Sequence, residues 1–281
     1  MTPELSAPES RRCAVLGSPI GHSLSPALHR AAYAELGLDW TYDRFEVTEH
    51  ELPGFVAGLD GHWRGLSVTM PLKVAVLDLG LVDEVAQLAG AGNTLIFDDD
   101  ARRVYNTDVG GLVSAVRRIS SGPTPRVTIL GTGATARSAL VSAAQLGAQQ
   151  VTVVARTPSR AVALQGLGGR LELGVRVQDW GAPLPEADLV ISTAVAGAAD
   201  AIAPTIAASA PLIFDAIYDP WPTELASVAA RAGCTVINGL DLLIGQALLQ
   251  IELMTGRTVP AATLYAALPT DLSDAQRAIT H

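Results

Sequence analysis

RVTILGTGATARSALVSAAQLGAQQVTVVARTPSR, residues 126–160, carries the pattern that decides the fold. An apolar, β-branched run from Val127 to Leu130 predicts a strand, and Gly131-Thr132-Gly133-Ala134-Thr135-Ala136 predicts a turn. A helix-prone segment to Leu146 and a second strand, Val151 to Ala155, complete the order strand, glycine turn, helix, strand. In a turn of this kind the first glycine permits the tight bend and the second lets the backbone approach a pyrophosphate. A small third residue then lets the helix pack on the strand. Gly131, Gly133, Ala134 and Ala136 are therefore candidate contacts to a dinucleotide, with Ala136 as the small third residue. A bare G-x-G-x-x-A is also found in ordinary turns; its setting between a strand and a helix of crossover length is what points to a nucleotide.

The residues that close the second strand bear on which dinucleotide is held. An NAD site usually places Asp or Glu there to accept from the ribose 2′-hydroxyl, but this chain has Ala155-Arg156-Thr157 and then Arg160. A guanidinium can fork two hydrogen bonds onto a 2′-phosphate, and Thr157 can add a hydroxyl donor. NADP(H) is the expected cofactor; a solvated arginine at a strand end is the plainer alternative.

The chain has 281 residues, room for two domains of ordinary size. Its mean hydropathy of +0.31 and 49% hydrophobic residues raise the question of a membrane span. No apolar run approaches the ~20 residues a spanning helix needs; the most apolar part, residues 187–218, is broken by Asp188, Asp200, Pro204, Pro211 and Asp215. MTPELSAPESRR at the start lacks the apolar core of a signal peptide, so a cytoplasmic protein with a short frayed start is expected. Cys13 and Cys234 are far apart and each lies in or beside an expected strand, which favours reduced core packing over a disulfide. A net charge of −9 argues against a nucleic-acid surface, so anionic ligands must be met by local cations or backbone amides. His22, His29, His50, His62 and His281 show no metal-ligand spacing, and no metal is expected.

In chain order, residues 12–110 read as a first α/β unit. A strand at Cys13–Leu16 leads into GSPIGHSLSPALHRAAYAELGL, with Ser25 suited to an N-cap and Pro26 to the first helical position. Ser23 and Ser25 thus sit on a strand-to-helix loop. Strands are expected at 42–47 and 66–70, with a short helix at 51–59 between them. Pro71 should open another helix, placing Lys73 in its first turn, where the dipole disfavours a cation and would help a lysine exchange its proton. After a helix near 83–88, residues 90–111 read as strand, acidic turn, strand, with Asn93 entering and Asp108 leaving. Asp108 also suits an N-cap of the segment from Val109. Ser120 to Pro125 is a polar connector to the nucleotide unit.

Beyond Arg160 the expected order is a loop region to Asp179, a strand at 189–193, a small-residue loop, a strand at 212–216, a loop carrying Tyr218, a helix at 224–232 and a strand at 235–237. Parallel strands alternating with helices imply a doubly wound sheet whose ligands gather at the strands' C-terminal ends. A long amphipathic helix from Gly239 should return to the first unit. The expected fold is therefore two-domain α/β. Residues 1–110 and 239–281 form a substrate-binding domain, and residues 111–238 form a Rossmann-type dinucleotide domain.

Eight stretches together resemble the shikimate dehydrogenase family, in that family's order and over nearly the whole chain. They are GSPIGHSLSP (17–26), VTMPLK (68–73), GAGNTL (90–95), YNTDVGG (105–111), GTGATAR (131–137), ART (155–157), YDPWPT (218–223) and GLDLLIGQA (239–247). The resemblance implies NADP-dependent, reversible reduction of 3-dehydroshikimate to shikimate, on the route to chorismate and the aromatic amino acids. It also implies that Ser23 and Ser25 bind the substrate carboxylate, and that Thr69, Asn93, Asp108 and Gln246 bind ring hydroxyls. Lys73 would be catalytic with Asp108 beside it, and Tyr218 would flank the ring. A polyhydroxylated ring acid needs many neutral donors and acceptors, which Ser, Thr, Asn and Gln supply. The expected partners are this small molecule and its cofactor, with no nucleic acid and no membrane; homodimerisation is left open.

The chain departs from the family pattern in four places. Ser67 stands where Asn is usual, Ala155 replaces the usual Asn before Arg-Thr, Ser192-Thr193 replaces Asn-Ala-Thr, and Glu224 follows Thr223 where Pro is common. None removes a proposed catalytic group. Two other readings are a quinate dehydrogenase of broader specificity, against which Ser25 and Arg156 count, and a non-catalytic NADP-binding relative, against which Lys73 and Asp108 count.

Overall fold

The computed structural model describes residues 10–98 and 101–270, so residues 1–9 of the expected frayed start, Asp99 and Asp100 of the acidic turn, and His281 lie outside the described residues. In chain order the first half runs β1 (Arg12–Gly17), α1 (Ser25–Glu35), β2 (Thr41–Glu46), α2 (Leu52–Ala57), β3 (Trp63–Val68), a 3₁₀ turn (Ala75–Leu79), β4 (Leu81–Val82), α3 (Glu84–Ala89), β5 (Thr94–Phe97), β6 (Arg102–Tyr105) and α4 (Thr107–Ile119). The second half runs β7 (Arg126–Leu130), α5 (Ala134–Gln145), β8 (Gln150–Ala155), α6 (Val162–Arg170), β9 (Gly174–Asp179), β10 (Leu189–Ser192), α7 (Ala203–Ser209), β11 (Leu212–Asp215), α8 (Glu224–Arg231), β12 (Thr235–Ile237), α9 (Gly239–Thr255) and α10 (Ala261–Ala266). These elements form two compact units. Described residues up to Gln87 join Gly92–Thr107 and Ala247–Leu268 in one, and Asp108–Gln246 with Leu88–Ala91 make the other.

The first unit is built on a mixed sheet in the order β2-β1-β3-β5-β6-β4. β1 runs parallel to both β2 and β3, whereas β5 is antiparallel to β3 and β6. Central β1 is an apolar run because both its faces are covered, with Ala14 and Leu16 in one buried cluster and Cys13 and Val15 in another, whereas the edge strand β2 is largely polar; Leu66, Val68, Leu95 and Val104 join the cluster of Ala14. The second half of α9 and α10 belong to this unit, while the first half of α9, to Gln246, belongs to the other.

The second unit is an all-parallel sheet in the order β12-β11-β10-β7-β8-β9, the doubly wound arrangement whose strand order reverses at β7. Two of its helices depart from expectation. The stretch expected as loop to Asp179 forms α6 and β9, and the small-residue loop contains α7. Three glycines in VALQGLGGR hide α6 from propensity, each costing about 1 kcal/mol against alanine, yet Leu164 and Leu167 are buried and hold it. Similarly, α7 is held by Ile206, fully buried in the cluster with Leu130, Val154 and Ile213.

Candidate active site

In the first unit the expected substrate residues gather at the C-terminal ends of β1 and β3. Ser23 donates its N–H to the Ile20 carbonyl at 3.0 Å, and its hydroxyl accepts from the Ser25 N–H at 3.3 Å. That makes Ser23 the turn residue and Ser25 the first residue of α1; the N-cap position falls on Leu24, whose side chain caps nothing, rather than on Ser25 as the sequence suggested. Ser25 is nonetheless buried, with 6% of its surface exposed. Thr69 follows β3, and its N–H donates to the Leu16 carbonyl of β1 at 2.9 Å, so the two strand ends are tied together.

Lys73 lies in a run of turns, Pro71–Val74, ahead of the 3₁₀ helix. The expected α-helix at Pro71 does not form, and the dipole argument for its amine falls with it. The chain there is tied instead by the Leu72 N–H to the Thr69 carbonyl at 2.8 Å and the Gly92 N–H to the Lys73 carbonyl at 2.7 Å. This second bond fastens Lys73 to the loop that carries Asn93. Asn93 is itself buried, and its carbonyl accepts from the Val68 N–H at 2.8 Å. Its side-chain oxygen accepts from the Thr107 N–H at 2.8 Å, so it anchors the start of α4.

The second unit holds the remaining candidates. Asp108 is buried in the first turn of α4, one residue inside the helix rather than capping it. Gln246 is buried on α9, with its side-chain amide donating to the Leu243 carbonyl at 2.8 Å. Tyr218 follows β11 on a loop closed by Asp215. That carboxylate accepts from the Thr223 hydroxyl at 2.7 Å and the Ile217 N–H at 3.3 Å, while Thr223 also caps α8 through the Ala226 N–H at 3.0 Å. Burial raises the Asp215 carboxyl above its ordinary value, with both hydrogen bonds opposing the shift. Burial likewise raises the Tyr218 phenol, with Asp219 adding to it. Asp215 went unmarked in the sequence; a lone Asp closing an apolar strand was the available signal.

The dinucleotide candidates sit at the C-terminal ends of β7 and β8. Gly131 has φ of +115°, and a Cβ there would lie 2.5 Å from the Thr193 hydroxyl oxygen, so only glycine fits. Thr193 in turn donates to the Leu130 carbonyl at 2.8 Å. Gly133 is the N-cap of α5, with nothing within 4 Å of where its Cβ would be, which leaves the backbone open to a ligand. Ala134 opens α5, and Ala136 is fully buried against the sheet. The free N–H groups of a helix start favour an anion such as a pyrophosphate. Ala155, the last residue of β8, is buried, while Arg156, Thr157 and Arg160 beyond it are exposed, with no carboxylate among residues 155–160. Donors and cradle both fit a phosphorylated dinucleotide.

Fold and site together define a two-domain α/β protein of the dinucleotide-binding class. Residues 15–95 match the model of the shikimate dehydrogenase substrate binding domain, and residues 239–268 that of the shikimate 5′-dehydrogenase C-terminal domain. The shikimate dehydrogenase (NADP(+)) of Moorella thermoacetica is 35% identical over 89% of this chain and 90% of its own length. Among solved structures, a shikimate 5-dehydrogenase from Mycobacterium fortuitum is 43% identical, with a TM-score of 0.86 over 94% of this chain and 100% of that one. The Thermus thermophilus shikimate 5-dehydrogenase, solved with NADP(H) and shikimate, is 31% identical with a TM-score of 0.79 over 95% and 99% of the two chains. A 5-ketofructose reductase of Gluconobacter is 28% identical with a TM-score of 0.82 over 92% and 97%. The chain belongs to the shikimate dehydrogenase family.

Proposed function

We propose that this protein is an NADP-dependent oxidoreductase that interconverts 3-dehydroshikimate and shikimate, in the route to chorismate and the aromatic amino acids. What supports the reading most is that the neutral donors Ser23, Ser25, Thr69 and Asn93 belong to the same unit as Lys73, in a chain of this family. Ser23 and Ser25 take the ring carboxylate. Thr69, Asn93, Asp108 and Gln246 take ring hydroxyls, and Tyr218 flanks the ring.

Gly131, Gly133, Ala134 and Ala136 hold the pyrophosphate of the cofactor, and Arg156, Thr157 and Arg160 its 2′-phosphate. When bound, NADPH supplies the hydride. Lys73 in its ammonium form stabilises the negative charge that grows on the ketone oxygen and hands it a proton; in the oxidative direction the neutral amine takes the hydroxyl proton. Asp108 is the carboxylate that works with that amine. The protein is assigned to the cytoplasm; no helix among the described residues is long and apolar enough to cross a membrane. A homodimer is the assembly proposed.

Steady-state oxidation of shikimate and of quinate, each with NADP⁺ and with NAD⁺, tests the reading. The highest kcat/KM is expected for shikimate with NADP⁺. A preference for quinate with NAD⁺ would overturn it.

A further inference from the structure

A line of buried side chains that the roles assigned so far leave unused ends on Asn93, all of it within the first unit. The Thr94 hydroxyl, at the start of β5, donates to the Asn93 side-chain oxygen at 3.0 Å. Gln250, on α9, donates through its amide nitrogen to that same hydroxyl at 2.9 Å and to the Asn93 main-chain carbonyl at 3.2 Å. Its amide oxygen accepts from the Ser67 hydroxyl of β3 at 2.8 Å, and Ser67 accepts in turn from the Tyr42 hydroxyl of β2 at 2.6 Å. His29, whose ring stacks on that of Tyr42 at 4.0 Å, lies 3.3 Å from the Gln250 oxygen. Thr94 has no exposed surface, and Gln250 only 1%.

Main-chain groups fix the sense of the bonds from Gln250 to Asn93. A carbonyl only accepts, so the Gln250 atom against the Asn93 carbonyl is the nitrogen, and the Thr94 oxygen beside that nitrogen must accept. The single Thr94 proton then goes to Asn93. From the other side the Thr107 N–H only donates, so the Asn93 atom it meets at 2.8 Å is the oxygen. Two donors therefore converge on that oxygen, and turning the amide over would set its nitrogen against both, where no water offsets the loss. The nitrogen, in its present place, donates to the Thr107 hydroxyl at 2.9 Å. With the lone pairs of the oxygen taken, a ring hydroxyl at Asn93 is met by the amide nitrogen, as a donor.

We infer that Thr94 is a positioning residue: its hydroxyl, aimed by Gln250, holds the Asn93 amide in the sense that offers nitrogen rather than oxygen to a ring hydroxyl of the substrate. The inference rests on the hydroxyl-binding role proposed for Asn93 and adds to it which end of the amide binds.

The test is the affinity of the full-length protein for shikimate, read by calorimetric titration, beside kcat and the KM for NADP⁺. Turnover of shikimate by the unaltered protein and weaker binding by Asn93→Ala are read first; the absence of either would sink the role of Asn93 and this inference together. Thr94→Val keeps the shape of the side chain and loses the hydroxyl. It should weaken shikimate by roughly 3- to 10-fold, about the worth of one hydrogen bond, while kcat and the KM for NADP⁺ hold within about 2-fold. Thr94→Ser keeps the hydroxyl and should bind as the parent does. On an Asn93→Ala background Thr94→Val should add nothing. If Thr94→Val does not fold, Thr94→Ala removes the same hydroxyl without crowding and carries the same expectations. An unmoved affinity in the variant without the hydroxyl, an equal loss in Thr94→Ser, or an equal further loss on the Asn93→Ala background would overturn the role of Thr94 alone.

Discussion

A Cβ on Gly111 would stand 2.7 Å from the backbone nitrogen of Gln246, so α4 and α9 meet backbone against backbone at that point. The contact is mutual, since a Cβ on Gly245 would lie 2.8 Å from the Gly111 carbonyl oxygen. Asp108 on one helix and Gln246 on the other are thereby held at a fixed crossing.

Gly111→Ala weighs two effects of opposite sign. Alanine in a helix interior gains about 1 kcal/mol over glycine, while overpacking against a neighbour that cannot yield costs typically about 1–3 kcal/mol. The obstacle here is backbone, so overpacking should prevail. Thermal unfolding of the variant should begin several degrees below the parent, by roughly 2–6 °C. A raised melting temperature would show that the two helices are not in contact at this point.

Arg156→Ala addresses the cofactor. If its guanidinium holds the 2′-phosphate, losing the charge-assisted contact should weaken NADPH by roughly 10- to 150-fold and leave NADH nearly unchanged. Titration of each nucleotide into both proteins reads the difference. Equal losses for the two would remove Arg156 from the phosphate site.

His29 gives the fold a dependence on acid. Burial pushes its imidazole down from 6.5 to about 3, with the Gln250 hydrogen bond opposing the shift, and its Nδ1 has no hydrogen-bond partner. Between those pH values the unfolded chain binds a proton there that the folded chain does not. The contribution is therefore fully present above the unfolded value and is lost as pH falls, by about 1.4 kcal/mol per unit inside the window. His29→Phe keeps a ring against Tyr42 without titrating. Urea unfolding of the two proteins between about pH 7.5 and pH 5 should show the parent losing about 2 kcal/mol more than the variant. Parallel losses would mean that His29 is charged in the folded state.

The nucleotide unit is the part of the fold most open to a reader of the sequence. β7, α5 and β8 arise from a β-branched run, a glycine turn and a second such run, signals confined to a few consecutive residues. By contrast, α6 and α7 are hidden because glycines and small residues erase their pattern, and buried Leu164, Leu167 and Ile206 supply what propensity does not. Pro71 misleads in the other direction: it suits a helix start, yet the chain makes turns and a 3₁₀ helix there. The line from Tyr42 through Ser67 to Gln250 has no local signature at all, since Ser67 and Gln250 are 183 positions apart and meet only through the folded sheet and helix. Motifs locate side chains along a strand end; they do not tell which buried groups stand behind them.

The central claim is that Lys73 exchanges the proton while the ring carbon exchanges hydride. Its most direct test is the kcat for NADPH-dependent reduction of 3-dehydroshikimate by the parent protein and by Lys73→Met, monitored through the loss of absorbance of the reduced nicotinamide. The account predicts turnover by the parent and a kcat lower by roughly 10²- to 10⁴-fold in the variant, with KM changed far less. A variant as fast as the parent, or a parent that leaves this ketone untouched, would contradict it.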